Sequence, residues 1–147
     1  MRNGCSRLFL WVVTVWMMCS CMSHHTSAVV DTPPEKWYSA VQLDYPNCDT
    51  LENRNVNLLT FYSTDSPKSI TLVVEVTSPD GYKAIDTVTC NLPKEKHGRN
   101  YFEQQTTFRT GTVMRHTGNY KVTITPTDTL RGVWAVGLNT IYDNGKR

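Results

Sequence analysis

The chain has 147 residues, with 15 basic and 13 acidic side chains, which is room for one domain with a single modest core. Two of the bases, Arg2 and Arg7, lie at the extreme N-terminus. Past residue 20, thirteen bases therefore face thirteen acids without a basic run, which excludes the electrostatic footprint of a nucleic-acid binder.

Arg2 and Arg7 precede the apolar run Leu8 to Met18, the pattern of a secretory leader. The run is too short for a comfortable membrane-spanning helix, which needs about 20 apolar residues. It ends in Met18-Cys19-Ser20-Cys21, which resembles the end of a bacterial lipoprotein signal peptide: a small residue before the cysteine and a larger one two positions earlier. Cys19 fits worse, because bulky Met18 precedes it. The resemblance implies cleavage before Cys21 and acylation of Cys21, so that residues 1–20 are a signal peptide. An ordinary secretory cut would instead leave an unanchored exported protein. Residues 21–35 then read as the lipidated cysteine and a polar tether ending at Pro34, and residues 36–147 as the folded domain. His24 and His25 lie on that tether without a further ligand cluster, so a solvated linker explains them better than a metal site.

From Trp37 onward the chain reads as β structure. Trp37 to Tyr45 is a first strand, with Trp37, Val41 and Leu43 on one face, and Val56 to Tyr62 is a second. Ile70, Leu72, Val74 and Val76 then alternate with Thr71, Val73, Glu75 and Thr77. Ser78-Pro79-Asp80-Gly81 reverses the chain, since Pro79 pre-sets φ and Gly81 tolerates a positive one. The return strand carries Tyr82, Ala84, Val88 and Cys90 on one face. Asp86 interrupts that face, so a bulge or a sheet edge is expected there. Lys94 to Asn100 is a charged loop. Tyr101 to Arg109 is a strand with Phe102 and Phe108 on one face, and His116 to Asn119 is a turn. Tyr120, Val122 and Ile124 mark a further strand, ended by Pro126. Val133 to Tyr142 is the last, with Trp134, Val136 and Leu138 on one side and Gly137 at a bulge or a close approach. Seven to eight short strands without a helical period give an all-β fold, an antiparallel β-sandwich of immunoglobulin-like or jelly-roll-like form.

The sequence carries little catalytic chemistry. His97 and His116 have no local nucleophile or acid in a recognisable arrangement, and Asp86 is the one carboxylate inside an apolar pattern. There is no zinc spacing and no phosphate loop, so no catalytic residue, metal or cofactor is assigned. Cys48 and Cys90 have two readings in an exported domain, a disulfide or two separate thiols. The aromatics Trp37, Tyr38, Tyr45, Tyr62, Tyr82, Tyr101, Trp134 and Tyr142 either fill core and rim or form a sugar-stacking platform. Asp49-Thr50-Leu51, Asp86-Thr87-Val88 and Asp128-Thr129-Leu130 resemble the short O-glycosylation sequon of exported Bacteroidetes proteins. Thr50 and Thr129 are the preferred acceptors, because Thr87 falls within a strand.

The chain also resembles the gliding-motility lipoprotein family GldH of Bacteroidetes. The match runs in order through Cys21, Trp37, Ile70 to Glu75, Pro79-Asp80-Gly81, Asp86-Thr87, His116 to Tyr120, and Leu130 to Leu138. It departs between Lys94 and Arg115, where the family carries a longer, Gly-rich loop. The resemblance implies a non-enzymatic envelope lipoprotein associated with gliding or type IX secretion. Its partners would be the membrane, through the lipid, and other envelope proteins. The stretch after Cys21 lacks the acidic run typical of surface-exported lipoproteins in that phylum, so an outer-membrane protein facing the periplasm is expected. A surface carbohydrate-binding lipoprotein is the alternative. Lys94, Lys96, Arg99, Arg115 and His116 are the expected partner face.

Overall fold

The computed structural model describes residues 26–94 and 98–143. They form eight strands: β1 (Thr26–Asp31), β2 (Val41–Asn47), β3 (Arg54–Ser63), β4 (Ser69–Thr77), β5 (Lys83–Asn91), β6 (Tyr101–Thr112), β7 (Gly118–Pro126) and β8 (Val133–Tyr142). All pairings are antiparallel. One sheet has the order β1-β8-β3-β6 and the other β2-β7-β4-β5. Successive strands thus cross between or within the sheets in the two Greek keys of a jelly roll, which selects that form over the immunoglobulin one.

The core lies between the sheets, because alternation turns one face of every strand inward. Leu58, Leu72, Val74, Val122, Ile124, Val136 and Leu138 meet there with Tyr45 and Tyr62, all essentially closed to water. The β4–β5 hairpin follows the sequence pattern closely. Its register is unbroken from Ser69 opposite Asn91 to Thr77 opposite Lys83, and Gly81 takes φ 90° in the turn. Asp86 marks a sheet edge and not a bulge, since among the described strands β5 pairs with β4 alone and in unbroken register.

Three expectations are corrected. The region read as tether contributes β1, which pairs with β8 from Thr26 opposite Thr140 to Asp31 opposite Ala135, so the domain begins ten residues earlier than expected. Val29 and Val30, too few to signal a strand alone, are recruited by the free edge of β8. Gly137 is where the two come close: a Cβ there would lie 2.4 Å from the Ala28 carbonyl oxygen. Trp37 lies outside β2. It is fully buried, and its backbone bridges Leu130. Trp134 does not share a side with Val136 and Leu138. The β3–β8 register skips between Phe61 and Tyr62, leaving Trp134 as an extra residue. A bulge re-aims the side chain beside it, and here Val133 turns into the core while Trp134 turns out.

Both chain termini of the sandwich lie at one end. Thr26 and Tyr142 are there with the 48–53 loop, the 78–82 turn and the 113–117 loop. The 32–40, 64–68 and 127–132 segments, with residues 92–94 and 98–100, are at the other end.

Candidate functional site

The residues expected to form one partner face are divided between these two ends. Lys94 lies where β5 leads to β6, and its ammonium donates to the Thr64 carbonyl at 2.6 Å and to the Ser66 carbonyl. Arg99 is exposed at the same end. Arg115 and His116 follow β6, whose twelve residues span on the order of 40 Å. The two groups therefore do not share a face, and Lys96 lies outside the described residues, as does Cys21. Cys48 and Cys90 are also at opposite ends and both free, Cys48 exposed and Cys90 buried. They are on the order of 30 Å apart along the strands, far beyond disulfide reach. Burial pushes the Cys90 thiol up, opposed by the Thr106 and Thr60 hydroxyls beside it. Of the sequon threonines, Thr129 is exposed and Thr50 half-buried. Thr87 is also exposed, on the outward side of the edge strand β5.

Two regions carry functional geometry. The first is a cleft of about 460 Å³ between the sheets at the hairpin end. Val56, Val76, Phe108, Met114 and Leu138 line its wall, with Asp80 and His116 at its mouth. Asp80 accepts a hydrogen bond from the Ser78 hydroxyl and meets His116 Nε2 at 3.2 Å. The Ser78 hydroxyl, then the Tyr82 amide and His116, hold the Asp80 carboxyl below its ordinary range. A hydroxyl, a carboxylate and an imidazole meet here, but the carboxylate stands in the middle. His116 thus has no hydrogen bond to Ser78 and is not placed to take its proton, which nucleophilic catalysis requires. Alongside, Asp86 meets Arg109 Nε at 2.6 Å and joins the open edges of the two sheets. The interrupting acid thus serves as an edge clasp, bonded to a side chain of the facing sheet.

The second region is the outer face of the β1-β8-β3-β6 sheet. Trp134, turned out by the bulge, packs on Phe61 with ring centroids 5.3 Å apart and meets Tyr101 in a T-shaped contact at 6.2 Å. Below this trio outward residues of β3 and β8 are covered from water by their neighbours. Leu59, Ala135 and Asn57 are at most 5% exposed although they lie outside the core between the sheets, or point away from it. Asn57 and Asn139 are cross-strand partners. The Thr107 hydroxyl donates to Asn57 Oδ1 at 2.6 Å, but Asn57 Nδ2 and Asn139 Oδ1 are buried without a hydrogen-bond partner among the described residues. The sequence offered Tyr101 and Trp134 only as members of a long aromatic roll. Their convergence, and the amides, depend on strand pairing that no local pattern carries. Among the described residues no group of three His, Cys, Asp or Glu side chains is arranged to hold a metal ion.

No family model and no curated protein matches this chain. Among solved structures it is similar to an infectious bursal disease virus structure (Gx strain), with TM-score 0.39 and 9% identity over 84% of this chain and 34% of that one. It is likewise similar to a non-crystalline cellulose specific carbohydrate-binding module, CBM28, with TM-score 0.43 and 14% identity over 80% of this chain and 73% of that one.

Proposed function

We propose that this protein is a membrane-anchored, non-catalytic binding component of the cell envelope, as its resemblance to the GldH lipoproteins implies. It would be held in the outer membrane, face the periplasm and assemble with gliding or type IX secretion proteins. The observation that carries the reading is the distance between anchor and fold. Cys21 stands five positions before Thr26, where β1 begins. Fully extended, that separation is at most about 17 Å. Acylation at Cys21 would therefore plant the sandwich by its hairpin end, with the 48–53, 78–82 and 113–117 segments nearest the headgroups and the 64–68 and 127–132 segments directed away. Multiple acyl chains make such anchoring stable, and confinement at a surface raises the effective concentration of neighbouring partners.

The test uses the full chain expressed in cells and labelled with a fatty-acid analogue. Cys21→Ala is expected to lose the label and leave the membrane fraction, while Cys19→Ala keeps both. Label retained by Cys21→Ala would contradict the assignment. Orientation is checked with a probe on Cys48, exposed at the hairpin end, against one on Thr129→Cys at the other. A lipid-phase quencher is expected to reach the first and spare the second.

A further inference from the structure

We infer that the outer face of the β1-β8-β3-β6 sheet is a binding site for a neutral glycan chain, with pyranose rings stacked on Trp134 and Tyr101 and sugar hydroxyl or acetamido groups bonded to Asn57 and Asn139. The inference rests on the reading of the domain as a binder and names its ligand class. Four features carry it. The first is an aromatic platform on a sheet face where water would otherwise be met: Tyr101 is 69% and Trp134 36% exposed. Aromatic rings offer apolar faces that match the C–H faces of a sugar.

The second is the pair of amide atoms. Asn57 is 1% exposed, and its Nδ2 lacks an acceptor, while Asn139 Oδ1 opposite lacks a donor. A buried polar group without a partner costs on the order of 1–3 kcal/mol, and such groups call for an explanation. One donor and one acceptor side by side suit a hydroxyl, which both donates and accepts. The third is charge. Among the outward residues of these four strands, from Ser27 to Asp31, Asn55 to Ser63, Tyr101 to Thr107 and Trp134 to Ile141, Asp31 and Glu103 are the groups charged at neutral pH and neither is a cation; the exposed Arg99 lies before the start of β6, beside Tyr101 and Glu103. Phosphate, nucleic acid and anionic lipid are thereby disfavoured. The fourth is the spacing of the two clusters. Phe61 and Asn57 are four residues apart on β3, about 13 Å at roughly 3.3 Å per residue. Between them Leu59 has Gly137 opposite on one side and Gln105 on the other. That length suits a short run of sugars better than a single one.

Neutral pyranose chains of this kind carry either acetamido groups, as N-acetylglucosamine oligomers do, or hydroxyls alone, as gluco-oligosaccharides do, and the experiment separates the two. The full anchored protein, purified in detergent, is titrated calorimetrically with neutral N-acetylglucosamine oligosaccharides and, separately, with neutral gluco-oligosaccharides. Saturable binding in either arm is expected, at least about tenfold weaker for Trp134→Ala and roughly three- to tenfold weaker for Asn139→Ala. Thr89→Ala, on the other sheet, is expected to bind like the wild type, and all three variants are checked for an unchanged circular dichroism spectrum. No binding by the folded wild type in either arm, binding that Trp134→Ala leaves unaltered, or self-association through this face would each overturn the inference. Cys21→Ala is expected to bind glycan normally. Loss of its anchor and survival of its binding are separate results, so the two readings can fail independently.

Discussion

On the outer face of the β2-β7-β4-β5 sheet, Thr71 and Thr89 share a hydrogen bond at 3.3 Å, and Lys83 meets Glu75 at 2.9 Å. Cross-strand neighbours there satisfy one another or face water. The face also carries charges of both signs along its strands, as Lys83, Glu75, Lys121 and Asp44 do. On the outer face of the β1-β8-β3-β6 sheet, Asn57 and Asn139 are likewise cross-strand neighbours, yet each withdraws a polar atom from water without pairing it. Both sheets use period-2 strands, and both inner faces feed one core. What separates the outer faces is one bulge and one glycine. The bulge turns Trp134 outward, and Gly137 lets β1 press close. A fold therefore leaves one ordinary solvated face and one whose polar and aromatic groups lack a complement.

Substitutions sharpen this contrast in order of expected size. Leu72→Ala and Leu58→Ala remove fully buried core side chains on either sheet and are expected to cost about 2–5 kcal/mol each by denaturant unfolding. Two near-zero values would mean that the sheets do not pack as described. Gly137→Val is expected to cost about 1–3 kcal/mol, because its Cβ meets the Ala28 carbonyl and Val29 and must displace β1. Hydrogen exchange should show the loss of protection concentrated in residues 26–31, and protection lost evenly would place the strain elsewhere. Leu59→Ala is expected to cost about 1–2 kcal/mol, less than Leu58→Ala, since it opens a recess to water and leaves no sealed cavity. Thr89→Ala, on the solvated face, should change stability by no more than about 0.5 kcal/mol. If Leu59→Ala matched Thr89→Ala, Leu59 would not be covered as described.

Much of the fold was legible in the residues. Ile70 to Val76, Gly81 and Tyr120 to Ile124 combine alternation, turn chemistry and β propensity, and each agrees with its final element. Phe102 and Phe108 both lean on the core as their spacing implied. β1 was not legible, because Thr26 to Asp31 becomes a strand only when β8 offers an edge. The side on which Trp134 falls was hidden for a related reason: a bulge is a property of paired registers, and one extra residue reverses the facing of everything before it. The candidate partner face failed by topology, since β6 places Lys94 and Arg115 at opposite ends although they flank one strand. Buried Arg54 went unnoticed, though its guanidinium meets Asp49 at 3.3 Å and lies over the Tyr142 ring, holding the 48–53 loop to the last strand. Its surroundings assemble from three separate segments, and a lone arginine carries no sign of that.

The most direct test of the contrast between the two faces uses the protein's own fluorescence. Past residue 20 the chain has two tryptophans, Trp37 sealed in the core and Trp134 on the outer face. In a titration of the anchored protein, freed of its leader, with the neutral oligosaccharides, stacking on Trp134 should shift its emission to shorter wavelength in a saturable way. Trp134→Phe should abolish the shift while Trp37 emission stays constant. An unchanged spectrum at glycan concentrations where calorimetry registers saturable binding, or a shift that persists in Trp134→Phe, would place the ligand elsewhere and contradict the account.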